Sequence, residues 1–226
     1  MLLHIPAVLT PEELAHARKL LLAAPWQDGR TTAGQQAVQV KNNLQLPPES
    51  DTARELAALV RSALFRHPLY MSAALPHTLM TPMFNCYQGG MTYGNHVDNA
   101  IRRDPLSGQN VRTDVSCTLF FSDPEEYEGG ELIVEDTYGT HSVRLPAGDA
   151  ILYPSTSLHR VEPVSAGARL ASFMWTQSMV RSDTRRAMLF DIDMAILQLR
   201  QKVGDCEEVM SLTATYHNLL REWAEV

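Results

Sequence analysis

Apolar positions recur with two different periods along the chain. Between residues 11 and 24, Leu14, Ala17, Leu20 and Leu21 repeat at helical spacing, and between 51 and 66 Leu56, Leu59, Val60 and Leu64 do the same. Both stretches predict amphipathic helices. Thr10 supplies an N-cap for the first, Pro11 fills its first helical position, Glu13 closes a capping box and Pro25 ends it. Asp51 stands near the cap of the second. Between them, the alternation in QAVQVKNNLQL (36–46) predicts a strand. From about residue 78 to 178 the period shortens. Runs rich in β-branched and aromatic residues, such as TPMFNCYQ, TDVSCTLFF, ELIVE, AILYP and ARLASFMWTQ, are separated by Gly, Pro and acidic turn residues. After Gln177 helical spacing returns. Met188, Ile192, Ala195, Ile196 and Leu199 predict a helix over 183–203. A second runs from Asp205, with Glu208 as its capping-box partner, to about Trp223.

Many short strands at this spacing predict an α+β chain with a mainly β core. A double-stranded β-helix (jelly roll) fits best, because such a double sheet leaves a mouth where side chains from different strands converge. The expected organisation is an N-terminal helical and strand flank over 1–77, a jelly-roll domain over 78–178 and a C-terminal helical segment over 179–226. The apolar face of the 183–203 helix is broad, so it must pack on the barrel, on its neighbour or on another subunit. A homo-oligomer through the C-terminal helices is one expectation.

Composition narrows the function classes. The net charge of -7 argues against a broad basic face, so no nucleic-acid partner is expected. No apolar stretch approaches the ~20 residues that span a bilayer, and no basic n-region precedes the short apolar run at the amino terminus. Cys86, Cys117 and Cys206 are odd in number and widely spaced, which disfavours a disulfide framework or a structural zinc site. A cytoplasmic protein without a membrane partner is the expectation.

The candidate chemistry begins at His96-Val97-Asp98. On a strand, residues i and i+2 point to the same face, so His96 and Asp98 can offer an imidazole and a carboxylate to one metal ion. His159 supplies a third ligand from a distant strand, completing a two-histidine, one-carboxylate set that leaves open positions and suits Fe(II). His141, on another predicted strand, is a rival third ligand; His4, His16, His67, His77 and His217 read as surface or core residues. Ten residues after His159 stands Arg169, whose guanidinium forks a carboxylate bidentately. Its structural alternative is a pair with Glu162. Two other functions share the metal set: a non-catalytic iron-sensing or metal-binding jelly roll, and a Zn or Mn enzyme on the same fold.

Over Phe84 to Trp175 the chain resembles the prolyl 4-hydroxylase type of Fe(II)/2-oxoglutarate-dependent dioxygenase. The resemblance rests on FNCYQGGMTYGNHVDN, TLFFSDPEEYEGGEL and LPAGDAILYPSTSLHRVEPVSAGARLASFMW. The flanks KNNLQL and SMVRSDTRRAMLFDID extend it to the bacterial PKHD-type hydroxylases over nearly the full length. It implies iron ligation by His96, Asp98 and His159, and cosubstrate binding by Arg169, after Gly167, with Tyr87 as a further donor to 2-oxoglutarate. Tyr93 matches an aromatic position near the site. The implied reaction couples oxidative decarboxylation of 2-oxoglutarate to succinate with C–H hydroxylation of a small-molecule or peptide substrate by O2, supported by L-ascorbate. Asp98 occupies the position that halogenating relatives open for halide, which favours hydroxylation. A siderophore-related substrate is an expectation from the resemblance alone. The polar 99–112 loop reads as a solvated loop or a lid, in which Arg102, Arg103 and Arg112 are available to an acidic substrate; Met174 and Trp175 read as core.

Overall fold

Two antiparallel sheets face each other in the computed structural model, which describes residues 1–32, 39–137 and 139–226. The large sheet runs β1 (Leu3–Ile5), β14 (Ala150–Pro154), β10 (Val115–Phe120), β16 (Val164–Ser178), β6 (Met83–Gln88), β4 (Leu44–Gln45) and β2 (Gln27–Asp28), with β5 (Pro76–Leu79) and β11 (Tyr127–Gly129) also paired to β16. The small sheet runs β13 (Gly139–Val143), β12 (Leu132–Asp136), β15 (His159–Val161), β7 (Thr92–His96) and β3 (Lys41–Asn42). Apart from the β12–β13 hairpin, neighbours in each sheet come from separate parts of the chain, as in a jelly roll. The expected α+β class with a double-stranded β-helix core is what the chain adopts. Part of the predicted 36–46 strand, residues 36–38, lies outside the described residues. The rest divides into β3 and β4, one in each sheet.

The helices sit outside the sheets. α1 (Pro11–Leu22) carries the predicted Thr10–Glu13 capping box, with both reciprocal bonds formed. α2 (Asp51–Arg66) is capped by Ser50, whose hydroxyl accepts from Ala53 N–H, one residue before the expected Asp51. The buried faces of these helices, with Leu21, Leu56, Val60 and Leu64, join Phe84, Leu119, Leu152 and Met174 of the large sheet in the main core. A short helix, α3 (Pro68–Ala74), follows α2 and is not expected from periodicity; seven residues, about two turns, carry too few positions to show a period. No helix among the described residues is long and apolar enough to cross a membrane.

The C-terminal pair departs from expectation in two details. α4 (Asp183–Val203) buries Leu189, Phe190 and Ile196, whereas Met188 is 50% exposed and Ala195 faces out. The stripe is rotated by about one position, because the face that meets α3 and α5 is set by the supporting elements. α5 (Glu207–Trp223) starts after Cys206, which makes no side-chain cap. Asp205 instead pairs with Arg200 at 2.8 Å, so the Asp205–Glu208 capping box does not form. Tyr216, Leu219, Leu220 and Trp223 of α5 close over Leu75, Val180 and Leu189, so much of the apolar surface is used within the chain.

β16 is the longest strand and the spine of the large sheet. Its first turn is held by Gly167 at φ +72°, where an added Cβ would lie 2.1 Å from the Glu126 carbonyl oxygen and 2.9 Å from Tyr127 Cα. Backbone cannot yield as a flexible side chain can, and the left-handed conformation disfavours any Cβ. Gly167→Ala should therefore destabilise the protein by roughly 2–4 kcal/mol in urea unfolding. A change within experimental error would show that β11 does not constrain β16.

Candidate active site

A cavity between the two sheets gathers the residues with chemical potential. His96 ends β7 and His159 begins β15, and the antiparallel register sets them directly opposite each other. Their rings lie 4.2 Å apart between centroids. Asp98 follows two residues after His96, and its Oδ2 is 3.8 Å from His159 Nε2. One ligand atom from each of the three lies within 4.8 Å of the others, close enough to hold one metal ion.

The surroundings fix which atoms are offered. His96 Nδ1 is 2.8 Å from the Gly94 carbonyl oxygen and His159 Nδ1 is 3.0 Å from that of Ser157. A carbonyl only accepts, so each Nδ1 donates and each Nε2 keeps its lone pair for a metal. Ser116 donates to Asp98 Oδ2 at 2.7 Å and is itself 2.8 Å from the Ser155 hydroxyl. Tyr93 stacks on His96 at 3.7 Å and Tyr153 meets His159 edge-on at 5.1 Å, so both imidazoles are confined. Burial, then the neighbouring His159, lowers the His96 pKa to about 4. The ring is therefore neutral near pH 7, as ligation requires.

Arg169 lies along the same cavity on β16, 1% exposed and set between the rings of Tyr87 and Phe120. The alternative pairing with Glu162 is not made, since Glu162 accepts from Arg160 at 2.6 Å. Arg169 Nε meets no acceptor, and no carboxylate of the described residues pairs with it. Gly130 opposite leaves the room: a Cβ there would stand 3.2 Å from Arg169 Cδ. Asn43 donates to the Tyr87 hydroxyl oxygen at 2.9 Å, leaving the phenol proton to be donated elsewhere. Burial pushes the Tyr87 pKa up to about 12, so that proton stays in place.

Several expectations are revised here. His141, the rival ligand, pairs with Asp136 at 2.8 Å and lies outside the His96–Asp98–His159 cluster. The 99–112 segment is not a loose loop. It contains a hairpin of β8 (Ile101–Arg103) and β9 (Asn110–Arg112), and buried Asp104 ties it to the Thr81 backbone N–H at 2.6 Å. Arg112 is committed to Asp114 and Arg103 to the Gly108 carbonyl, so of the three arginines only Arg102 lines the cavity. Trp175 is buried as expected, but it also lines the cavity.

Sequence reading missed Lys41, Asn43, Gln45 and Asn85 as cavity residues. A signal was present. Lys41, Asn43 and Gln45 alternate with Asn42 and Leu44, which is the period of a strand face, but with polar residues inward.

The chain is similar to known proteins over its full length. Residues 82–177 match the 2OG-Fe(II) oxygenase superfamily and residues 183–225 match the PKHD-type hydroxylase C-terminal domain. A PKHD-type hydroxylase of Hyphomonas neptunium is 65% identical over 225 residues, and one of Caulobacter vibrioides is 58% identical over 227, each covering 100% of both chains. The crystal structure of a Pseudomonas putida prolyl-4-hydroxylase shares the fold, with a TM-score of 0.52 and 19% identity over 78% of this chain and 92% of that one. The chain thus belongs to the PKHD-type hydroxylases, enzymes of the iron(II)- and 2-oxoglutarate-dependent oxygenase superfamily.

Proposed function

We propose that the protein hydroxylates a C–H bond of a small-molecule or peptide substrate, with His96, Asp98 and His159 holding Fe(II) and Arg169 and Tyr87 binding 2-oxoglutarate. The observation that carries this reading is the buried Arg169 guanidinium with no carboxylate partner among the described residues, in the cavity that holds the cluster. A buried cation left alone is costly, and a carboxylate of the cosubstrate removes that cost.

The donor set fits the metal: two Nε2 lone pairs fixed by backbone carbonyls, and one carboxylate oriented by Ser116. When bound, iron would supply the activation of O2 that couples loss of CO2 from 2-oxoglutarate to substrate oxidation. The protein's own residues bind and orient. Arg169 anchors the far carboxylate of 2-oxoglutarate and Tyr87 donates its phenol proton to the same molecule. Tyr93 and Tyr153 keep the histidines from rotating, and the walls of the cavity exclude water. Ascorbate is a natural reductant for restoring Fe(II) after unproductive turnover. The free thiols of Cys86, Cys117 and Cys206 suit the cytoplasm. The exposed Met188, Leu197 and Met210 on α4 and α5 leave a surface for a second copy of the chain.

Succinate formation from 2-oxoglutarate by Fe(II)-loaded protein tests the assignment. His159→Ala should lower it by roughly a hundredfold or more through loss of metal. Arg169→Met should retain metal but weaken 2-oxoglutarate binding by roughly a hundredfold. Equal loss of metal in both variants would sink the role given to Arg169.

The histidine geometry also sets an acid sensitivity. His96 is neutral in the folded protein down to about pH 4, whereas the unfolded chain takes up its proton near pH 6.5. The unfolded state therefore binds more protons in that window, and stability of the metal-free protein should fall as pH drops from about 6.5 to about 4. Urea unfolding across that range, compared between wild type and His96→Asn, measures the contribution. An identical slope in the two would exclude His96 as its source.

A further inference from the structure

A row of four residues crosses the large sheet and ends at Arg169. Arg169 on β16 is in register with Tyr87 on β6. Leu44 on β4 pairs with Cys86, so Asn43, one residue earlier, stands beside Tyr87. Asp28 on β2 pairs with Leu44, and the row closes at Gly29, whose N–H donates to the Asn43 carbonyl oxygen at 2.8 Å. Residues opposite one another in a sheet share a face and are the neighbours that interact. Asn43, Tyr87 and Arg169 accordingly all line the cavity.

Asn43 sits where the chain crosses from the small sheet to the large one, between β3 and β4. β3 is paired to β7 and β4 to β6, so its backbone is held from both sides. The residue is 3% exposed. Its carboxamide has two ends with opposite consequences for Tyr87, because a phenol oxygen accepts from an N–H but gives its proton to a carbonyl oxygen. In the structure Nδ2 faces the Tyr87 hydroxyl at 2.9 Å, and the phenol proton is left for another acceptor. Turned over, the carboxamide would present Oδ1, take that proton and leave Tyr87 nothing to donate.

The orientation adopted leaves a group unmet. Asn43 Oδ1 is buried and has no hydrogen-bond partner, although a turn of the carboxamide would satisfy it with the phenol proton. An unmet buried acceptor is costly, and the cost needs a reason. Keeping the phenol proton available supplies one. A hydroxyl that accepts a hydrogen bond is also a stronger donor, since bonds in a chain polarise one another. The outer end of the carboxamide fits because of Gly29: a Cβ there would lie 1.9 Å from Asn43 Oδ1 and 3.0 Å from its Cγ. Gly29 does not have a positive φ, so space and not backbone conformation is what the missing side chain provides.

We propose that Asn43 is a positioning residue for the cosubstrate, aiming the Tyr87 phenol proton at 2-oxoglutarate held by Arg169, with Gly29 making room for its carboxamide. This assignment rests on the proposed function, which gives Tyr87 and Arg169 to 2-oxoglutarate. Both new residues lie outside 82–177, the segment that matches the oxygenase superfamily. The cosubstrate site thus extends into the amino-terminal flank.

Anaerobic titration of 2-oxoglutarate into Fe(II)-loaded protein tests it, with the dissociation constant read by equilibrium dialysis. Asn43→Leu fills the space without a donor, Asn43→Asp keeps the shape but offers only acceptors, and Gly29→Ala displaces the carboxamide. Each is made in wild type and in Tyr87→Phe. Tyr87→Phe alone should weaken binding by roughly tenfold or more, and each of the other three by roughly threefold or more. Asn43→Leu and Gly29→Ala should weaken it no further in the Tyr87→Phe protein, because the proton they misdirect is already gone. Fe(II) binding, measured on the same samples, should stay at the wild-type level and reports that the variants are folded. Wild-type affinity in the Asn43 variants or in Gly29→Ala, equal losses in both backgrounds, or loss of metal in all three would each overturn the proposal. Failure of wild-type protein to bind 2-oxoglutarate, or unchanged binding by Tyr87→Phe, would instead remove the proposed function beneath it.

Discussion

The antiparallel register between β7 and β15 is the constraint on which the site depends. It sets His159 opposite His96, and the same ladder sets Val161 opposite Tyr93. Because side chains alternate across a strand, a slip of one strand by one residue would turn its histidine away from the cavity and from the other histidine. Tyr93 is also the partner of Lys41 on β3, so one register aligns a metal-ligand candidate, the ring that confines it and a cavity cation. The flanking chain is therefore part of the site and not an appendage to it.

The large sheet supplies the other wall through β16. Arg169, Phe173 and Trp175 share the strand's inward period and all line the cavity. Six residues of strand span about 20 Å, enough to separate an anion site at one end from an aromatic wall at the other. The apolar core beneath, with Phe84, Leu119, Leu152 and Met174, holds this strand rigid. Rigid walls matter here because a buried guanidinium between Tyr87 and Phe120 has lost its water and must be met at a fixed place by whatever enters.

Polar groups in the cavity divide into those already satisfied and those left open. The imidazole Nδ1 atoms, Asp98 Oδ2 and the Tyr87 oxygen all have partners, and these partners only orient. Arg169 Nε, Arg102 Nε, Asn85 Oδ1 and Trp175 Nε1 have none. Such unmet groups are costly in a core, and their concentration around one cavity separates binding surface from scaffold.

Local patterns determined much of this protein. The period change near residue 78, the Thr10 capping box and the same-face spacing of His96 and Asp98 are short-range properties, legible because they depend on a few consecutive residues. The ordered segments from Phe84 to Trp175 carried the family and its candidate residues. What the tertiary structure decided was which surfaces meet. Glu162 was an equal partner for Arg169 on paper, and only packing gave it to Arg160. The buried face of α4 was set by α3 and α5, not by its own stripe. Lys41, Asn85, Arg102 and Trp175 converge from four separate stretches of chain, and no local rule brings them together. Convergence across strands follows from register and sheet closure, which depend on the whole chain at once.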